Sequence, residues 1–372
     1  MSTTDLPYLI AFSTIPSIGA ATIVRLRSFF KTFEEAWNAP AREYQRAGVP
    51  EKSAMLLADA TKHLVPSEEL EKVRQAGINP IAIDDPAYPH LLREIPDSPQ
   101  LLYCRGNLPG IRPTVAIVGT RKATDYGREV ARRMSHELAI RGISIISGLA
   151  LGIDATAHES AVDALGHTTA VLGSGLDHVY PVANAQLARR IVETGGCLIS
   201  EFALGVQAQK FHFPVRNRII AGLSLGIVVV EGNKDSGSLI TARLGLDYNR
   251  EVMAVPGDIL RTASTGTNDL LKAGARPITC VDDILDALYL EHFKERHTGV
   301  DKPATFDNNQ QHTQLTDNEK ALLSVLEREP KHIDEIVKMS KLQVSIVNST
   351  LSMMEMRGLV KQLGGMKYIR II

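Results

Sequence analysis

Apolar runs alternate with amphipathic stretches through the central part of the chain, from residue 111 to residue 290. The stretches between the apolar runs predict covering helices, among them 125–141, 153–165 and 184–194. Strands that alternate with helices predict a parallel sheet with helices on both faces, an α/β fold with a Rossmann-like, doubly wound core. The six runs of aliphatic and β-branched residues that predict strands are 114–119, 143–148, 167–175, 197–201, 227–231 and 251–257.

The segments on either side of this core, which is predicted at 111–292, have other patterns. Residues 1–75 predict a small domain of short helices, of the helix-hairpin-helix or SAM-like type. The six prolines of residues 76–110 predict an extended connector packed on the core. A flexible linker is expected at 293–314, where aliphatic residues are almost absent. Three helices, the first capped by Thr316, and a hairpin turning at Gly364–Gly365 predict a winged-helix domain at 315–372.

Composition and charge narrow the class of protein. With 44% hydrophobic and 22% charged residues in 372, the chain has the composition of a globular protein. The apolar run at 223–230 is too short to cross a bilayer, and the first residues lack the pattern of a signal peptide, so we expect a cytoplasmic protein without membrane contact. The three cysteines lie far apart and predict neither a zinc site nor a disulfide framework. A net charge of −1 argues against a uniformly basic surface but allows a local basic groove.

The loop after the first core strand, in VGTRKATDYG (118–127), is a candidate phosphate-binding loop. The strand ends at Gly119, Thr120 follows, and the next helix begins near Thr124, so free amides and the positive end of the helix dipole would face a ligand. Arg121 would add a cation with bidentate geometry. The alternative is a tight strand-to-helix turn with a solvated arginine, and the sequence leaves both interpretations open.

Other loops at the ends of core strands have a similar design. The segment 173–181 is not a dinucleotide fingerprint, because His178 stands where GxGxxG needs its last glycine. No GxxxxGK[ST] motif is present, so binding of ATP by a P-loop is not predicted. Several such loops along one sheet edge favour a phosphate-rich ligand. Their candidate residues are Ser147, Gly148, Gly173, Ser236 and Gly237.

A basic and aromatic segment, QKFHFPVRNRIIAG (209–222), follows. It carries Lys210, Arg216 and Arg218, and no acidic residue occurs from residue 202 to residue 230. Phe211 and Phe213 lie among the cations. Cations for the backbone and aromatic faces for the bases are what single-stranded nucleic acid requires. The alternative is a buried aromatic pair beside a solvated basic turn.

In order along the chain, these segments resemble the DprA (DNA processing A, also called Smf) family. The matching runs include SGLALGIDATAHESAV, FPVRNRIIAGLS and SGSLITA, and together they cover about 115–275. The resemblance implies an extended Rossmann fold that binds single-stranded DNA, protects incoming DNA during natural transformation and delivers it to RecA. It also implies a homodimer formed through the C-terminal part of the core, and neither a catalysed reaction nor a cofactor or metal.

The resemblance also implies roles for individual residues. Arg121 and Lys210 are similar to phosphate-binding residues of the family, and Phe213 to an aromatic residue that stacks on a base. Residues that would line the same groove or supply backbone contacts are Arg216, Asn217, Arg218, Ser147, Gly148, Ser236 and Gly237. The chain departs from the family at Val182, where many members have a basic residue, so one phosphate contact is in doubt.

An enzyme on the same fold is the rival hypothesis. Related phosphoribohydrolases carry a PGGxGTxxE loop, which this sequence lacks. Asp154 and His158 stand four residues apart on one predicted helix, where a structural pair is favoured over general-base chemistry. For the N-terminal hairpin and the winged helix the sequence leaves open whether they contact DNA or act in packing and protein contacts.

Overall fold

The computed structural model describes residues 5–16, 18–293, 317–326, 330–356, 360–363 and 366–370. The chain divides into two compact units, Met1–Gly299 and Val300–Ile372. The predicted linker at 293–314 lies almost entirely outside the described residues. Each unit is therefore described by itself.

Six short helices begin the first unit, as the sequence predicts. Phe12 and Trp37 pack edge to face with ring centroids 4.9 Å apart, and Thr32 caps the third helix by accepting a hydrogen bond from the Glu35 amide (3.0 Å). Their buried side chains join one hydrophobic cluster with residues of the core such as Tyr103 and Leu187, so the helices are fixed against the sheet. The helices are α1 (Leu6–Thr14), α2 (Ala20–Phe29), α3 (Phe33–Trp37), α4 (Ala41–Arg46), α5 (Glu51–Ala60) and α6 (Pro66–Gln75).

The centre of this unit is a nine-stranded sheet. Its strands are β1 (Asn79–Ala82), β2 (Leu101–Gly106), β3 (Thr114–Val118), β4 (Ser144–Ser147), β5 (Thr168–Val171), β6 (Cys197–Ser200), β7 (Gly226–Val229), β8 (Glu251–Ala254) and β9 (Arg276–Pro277). The strand order is β1-β2-β6-β5-β4-β3-β7-β8-β9, with β6 to β9 of this order parallel. All six core strands predicted from the sequence are present, and the predicted α/β, Rossmann-like fold is confirmed.

The predicted extended connector contains two antiparallel strands that the sequence pattern did not reveal. β1 pairs with β2, and β2 pairs with β6, so the connector extends the sheet at one edge. Pro80 fits in β1 because that strand is the sheet edge, where a missing amide donor is tolerated. The connector also brings Cys104 within 2.9 Å (Sγ to Sγ) of Cys197 on β6, although 93 residues separate them in sequence.

Helices cover both faces of the sheet. Alternate residues of β3 point to opposite sides: Val115 and Ile117 pack with one cluster, and Ala116 and Val118 with another. The helices are α7 (His90–Arg93) in the connector and α8 (Asp125–Ile140), α9 (Ile153–Asp163), α10 (Ala185–Glu193), α11 (His212–Gly222), α12 (Ser238–Asp247), α13 (Thr265–Lys272) and α14 (Val281–Ala287) in the core. Within the described part of the chain, none of the helices is long and apolar enough to span a membrane.

The second unit has the predicted winged-helix arrangement. A three-stranded sheet in the order β10-β12-β11 packs with three helices around buried Leu322, Ile336 and Leu351. The elements are α15 (Asp317–Val325), β10 (Lys331–His332), α16 (Ile333–Ser340), α17 (Val344–Met356), β11 (Val360–Leu363) and β12 (Lys367–Arg370). The predicted cap at Thr316 and the turn at Gly364–Gly365 lie outside the described residues.

Candidate nucleic-acid interface

The predicted loops lie together along the carboxyl edge of the parallel strands. From β3 the chain builds β4, β5 and β6 on one side, and it then returns to build β7, β8 and β9 on the other. The point where the order reverses, between β3 and β7, is where ligands bind in open α/β sheets. The loop after β3 holds Arg121, and the loop after β7 holds Ser236 and Gly237. The candidate residues of both loops therefore meet at this reversal point.

At the start of α8, the Thr124 amide is already engaged within the chain. Glu231, only 2% exposed, accepts hydrogen bonds from the Thr124 amide (2.9 Å) and the Thr124 hydroxyl (2.7 Å). Thr124 in turn caps the helix by accepting from the Gly127 amide (3.1 Å). A carboxylate at a helix start is favoured by the helix dipole. The Thr124 amide is thus satisfied by an acid of the chain itself and is not free for a phosphate.

Arg121 nevertheless lies at the surface of the same loop, against an aromatic ring. Its guanidinium carbon is 4.9 Å from the centre of the Phe213 ring, in the range of a cation–π contact. The ring of Tyr180 lies beside Phe213, with centroids 5.7 Å apart. Gly173 makes this packing possible, because a Cβ there would be 3.3 Å from Phe213 Cδ1. The structure therefore brings together Arg121, Gly173 and Phe213, which the sequence predicted, and Tyr180, which it did not.

Lys210 and Phe211 lie at the surface just before α11. Within the described residues Lys210 makes no hydrogen bond or ion pair, so its ammonium is exposed to solvent. His212, by contrast, is buried at the start of α11, stacked on Phe202 with ring centroids 4.2 Å apart. Lys210 thus lies two residues before the buried first residue of α11 and three residues before Phe213.

Arg216 lies below this surface rather than in it. Its side chain is 4% exposed, and Nη1 donates to the carbonyl oxygens of Gly148 (2.5 Å) and Val171. The Gly148 amide donates to the Asp154 carboxylate (3.1 Å). Burial lowers the pKa of Arg216 to about 10, with Asp154 opposing the shift, and burial likewise raises the pKa of Asp154. Arg216 therefore connects the ends of β4 and β5, and the prediction that it lines the groove needs this correction.

Arg218 faces a different part of the molecule. It is buried, forms an ion pair with Glu201, and lies 3.8 Å (Nε to Oδ2) from Asp97 of the connector. Burial raises the pKa of Glu201, and Arg218 opposes the shift. Because residues two apart on a helix point about 200° apart, Arg216 and Arg218 cannot both face one groove. Arg218 fixes the connector to the core instead of lining the groove.

Three further predicted residues lie where α11 meets the loop before α12: Asn217 on the helix, and Ser236 and Gly237 in the loop. The Asn217 amide nitrogen donates to the carbonyl oxygen of Gly237 (3.3 Å), and its oxygen accepts from Arg216 Nε (3.2 Å). Ser236 hydrogen bonds to the Ser238 hydroxyl (2.8 Å), and Gly237 is exposed. Asn217 therefore places the 236–237 turn beside the middle of α11.

Ser147 and Gly148, in contrast, are buried at the end of β4. The Ser147 hydroxyl donates to the carbonyl oxygen of Ile117 (2.6 Å) and is fully enclosed. The carbonyl oxygen of Gly148 accepts from Arg216, and its amide donates to Asp154, as described above. Both residues therefore support the strand ends from the protein interior. Gly119 and Thr120, in the loop after β3, are half-buried.

The predicted Asp154–His158 pair does not form. His158 Nδ1 lies 2.7 Å from the Thr168 hydroxyl, while Asp154 is turned towards Gly148. Burial lowers the pKa of His158 to about 3, so the imidazole is neutral and enclosed. A group without access to solvent has no route to a substrate proton. Among the described residues, no group of three or more His, Cys, Asp and Glu side chains is placed to hold a metal ion.

Comparison with known proteins gives consistent matches over this chain. The DNA recombination-mediator protein A family profile matches residues 79–289, and the DprA winged helix domain profile matches residues 307–366. Protein Smf of Synechocystis is 34% identical over 100% of both chains. DNA processing protein DprA of Bacillus subtilis is 41% identical over 59% of this chain and 74% of its own.

Two solved structures are also similar. That of DNA processing protein A from Streptococcus pneumoniae superposes with a TM-score of 0.64 at 32% identity, covering 75% of this chain and 95% of its own. A structure of the Helicobacter pylori protein, described for its single-stranded-DNA binding mode, gives a TM-score of 0.52 at 29% identity over 57% of this chain and 96% of its own. The family profile covers more than half of the residues, and the Synechocystis relative aligns from end to end. The chain belongs to the DNA recombination-mediator protein A (DprA/Smf) family.

Proposed function

We propose that this protein binds single-stranded DNA across the carboxyl edge of its parallel strands. The observation that carries the proposal is the exposed Arg121 guanidinium 4.9 Å from the centre of the Phe213 ring, with the exposed Lys210 three residues before that ring. Positive groups beside aromatic faces at a sheet edge match a polymer that alternates phosphates with flat bases. The single-stranded-DNA binding mode of the Helicobacter pylori relative supports the same ligand class.

Each exposed residue of this edge has a chemical task in the proposal. Arg121 and Lys210 contact phosphates, Phe213 offers a face to a base, and the exposed Gly237 turn offers main-chain groups. The buried Arg216 keeps the strand ends in position and contacts no DNA. Binding is then governed by phosphate neutralisation, so affinity falls as salt rises and depends little on sequence.

We further propose that binding of DNA, without catalysis, is the activity of this chain. Asp154 and His158, the pair considered for general-base chemistry, are enclosed and do not contact each other. In the cytoplasm, the protein would protect DNA entering during natural transformation and load RecA onto it. Family membership supports this role. Faster growth of RecA filaments on a strand coated with single-strand-binding protein would test it, and an unchanged rate would contradict it.

Homodimer formation through the C-terminal part of the core completes the proposal. Ile259 and Leu260, in the loop after β8, are 85% and 88% exposed. Adjacent large apolar side chains at the surface are typical of protein contact sites. We expect a dimer by sedimentation analysis and a monomer after Ile259→Asp and Leu260→Asp together. A monomeric unaltered protein would refute this part.

Fluorescence anisotropy with labelled oligothymidylate and the full chain tests the DNA site. Arg121→Ala and Lys210→Ala should each weaken binding and make its salt dependence shallower, because each removes a phosphate contact. Lys62→Ala, which removes an exposed charge from the N-terminal helices, is the matched control and should bind normally. Unchanged binding by both edge variants would reject the site.

A further inference from the structure

A cavity of about 790 Å³ opens beside the proposed DNA-binding edge. It lies between α10, the loop 176–182 after β5 and the segment 207–208, and Leu198 of β6 and Arg105 of β2 also line it. This volume is in the range of roughly 300–1,000 Å³ that small-ligand sites have in proteins. The cavity is therefore large enough for a ligand of moderate size.

The lining of this cavity mixes apolar walls with polar side chains, His178, Tyr180 and Gln207 among them. Its apolar members include Leu176, Val179, Val182, Ala185 and Val192. Two arginines, Arg105 and Arg189, are balanced by two acids, Asp177 and Glu193. The lining thus has no net charge. A flat, neutral group with polar edges would suit such a mixed lining.

The charged groups differ in whether they are already engaged. Arg105 donates to the carbonyl oxygens of Leu176 (3.2 Å) and Ala76 (3.1 Å). Asp177 accepts from the Gly205 amide (2.8 Å). Arg189, in contrast, makes no hydrogen bond or ion pair within the described residues and is exposed on α10. Arg189 is thus a planar donor group that remains available to a ligand in the cavity.

Tyr180 joins the cavity to the DNA-binding edge. This half-exposed residue lines the cavity, and its ring lies beside Phe213 with centroids 5.7 Å apart. On the other wall, Gln207 lines the cavity three residues before Lys210. A strand that passes Arg121 and Phe213 therefore meets Tyr180 next, and the cavity opens beyond it.

We infer that this cavity receives one nucleobase of the bound strand, turned out of the stack of its neighbours. The inference rests on the proposed function and adds a second kind of contact to it. Proteins hold such bases between apolar or aromatic walls and contact their edges by hydrogen bonds. Here Tyr180 and Val179 supply walls, and Arg189 supplies donors for a base edge.

Anisotropy measurements on the full chain with two strands test this inference: oligothymidylate, and a strand of the same length that has abasic sugars throughout. Ala185→Leu narrows the cavity with an aliphatic group that offers no new stacking face, and Arg189→Ala removes the available donor. Both should weaken binding of oligothymidylate by about tenfold, the size of one base contact. Neither should change binding of the abasic strand. Arg190→Ala, on the same helix but paired with Asp163 outside the cavity, is the control and should match the unaltered protein.

The results separate the two proposals. Equal losses for both strands, or unchanged binding of oligothymidylate by Arg189→Ala, would overturn the base pocket. If Arg121→Ala and Lys210→Ala each leave binding of both strands unaltered, the DNA-binding edge itself is wrong. Thermal unfolding of Ala185→Leu checks that this variant is folded. If Ala185→Leu does not fold, Arg189→Ala, an exposed substitution, still decides the test.

Discussion

Arg216 supports the proposed binding edge from a buried position, and its removal should lower the stability of the protein. Its buried guanidinium donates to the carbonyl oxygens of Gly148 and Val171 and stabilises the charge of Asp154. Arg216→Met retains much of the side-chain volume and removes every one of these interactions. Removal of a buried charge that compensates an opposite buried charge typically costs about 3–5 kcal/mol, because the other charge is left without compensation. We expect the free energy of unfolding to fall by about this amount.

The same substitution should change how stability depends on pH. Burial already raises the pKa of Asp154, and Arg216 opposes that shift, so the variant should raise this pKa further. Between the unfolded and the folded pKa, the folded state holds a proton that the unfolded state has lost. The contribution of Asp154 to the free energy of unfolding is then fully present below its unfolded pKa and is lost as pH rises through its folded pKa. Arg216→Met should therefore be most stable at acidic pH.

Urea unfolding followed by circular dichroism at a series of pH values measures both effects. Asp154→Asn combined with Arg216→Met should recover part of the loss and remove the added pH dependence, because no buried charge remains. Arg243→Met, an exposed change on α12, should alter stability by less than about 0.5 kcal/mol. A loss below about 1 kcal/mol for Arg216→Met, or a pH profile like that of the unaltered protein, would refute the reasoning.

Three other predictions follow from buried contacts. Gly148→Ala should destabilise by about 1–3 kcal/mol in urea unfolding, because the new Cβ would lie 2.6 Å from Arg216 Cζ; a neutral result would mean that the guanidinium can move aside. Glu231→Ala should lower the free energy of unfolding by about 1.5–3 kcal/mol, as it removes charged hydrogen bonds from the start of α8, and a smaller loss in the same assay would contradict the cap. A thiol reagent should react quickly with Cys280 alone in the folded protein and with the other two cysteines only on unfolding, since both are buried; rapid reaction of all three would contradict that burial.

Six strands of the core could be predicted because each predicted run is short and aliphatic and ends in glycine or an acid, whereas the two-residue β9 could not. The helix α11 could not. Its residues are buried on nearly every side, from Arg216 and Arg218 to Ile219 and Ile220, so it has no amphipathic stripe. Pro214 also lies within its first turn, where it is tolerated although it commonly signals a break.

The site was predicted at the level of the edge but not of the individual contact. The sequence predicted that Arg121, Lys210 and Phe213 belong to one site, from the loop that holds Arg121 and from the basic and aromatic composition of the segment that holds the other two. It could not show that Arg216 is buried, because its carbonyl partners lie 68 and 45 residues away. The Glu231 cap was missed for the same reason, since 107 residues separate it from Thr124. Polar residues take their roles from distant partners, which no local pattern contains.

The carboxylate of Glu231 at the start of α8 has a consequence for how tightly a strand can be held. With the Thr124 amide occupied by that carboxylate, the contact that we propose between this loop and a phosphate is made by the long, rotatable side chain of Arg121. Such a side chain can exchange one phosphate for the next along a uniform backbone without full release. A strand bound in the proposed way would stay associated yet could be displaced stepwise, as the proposed delivery of DNA requires.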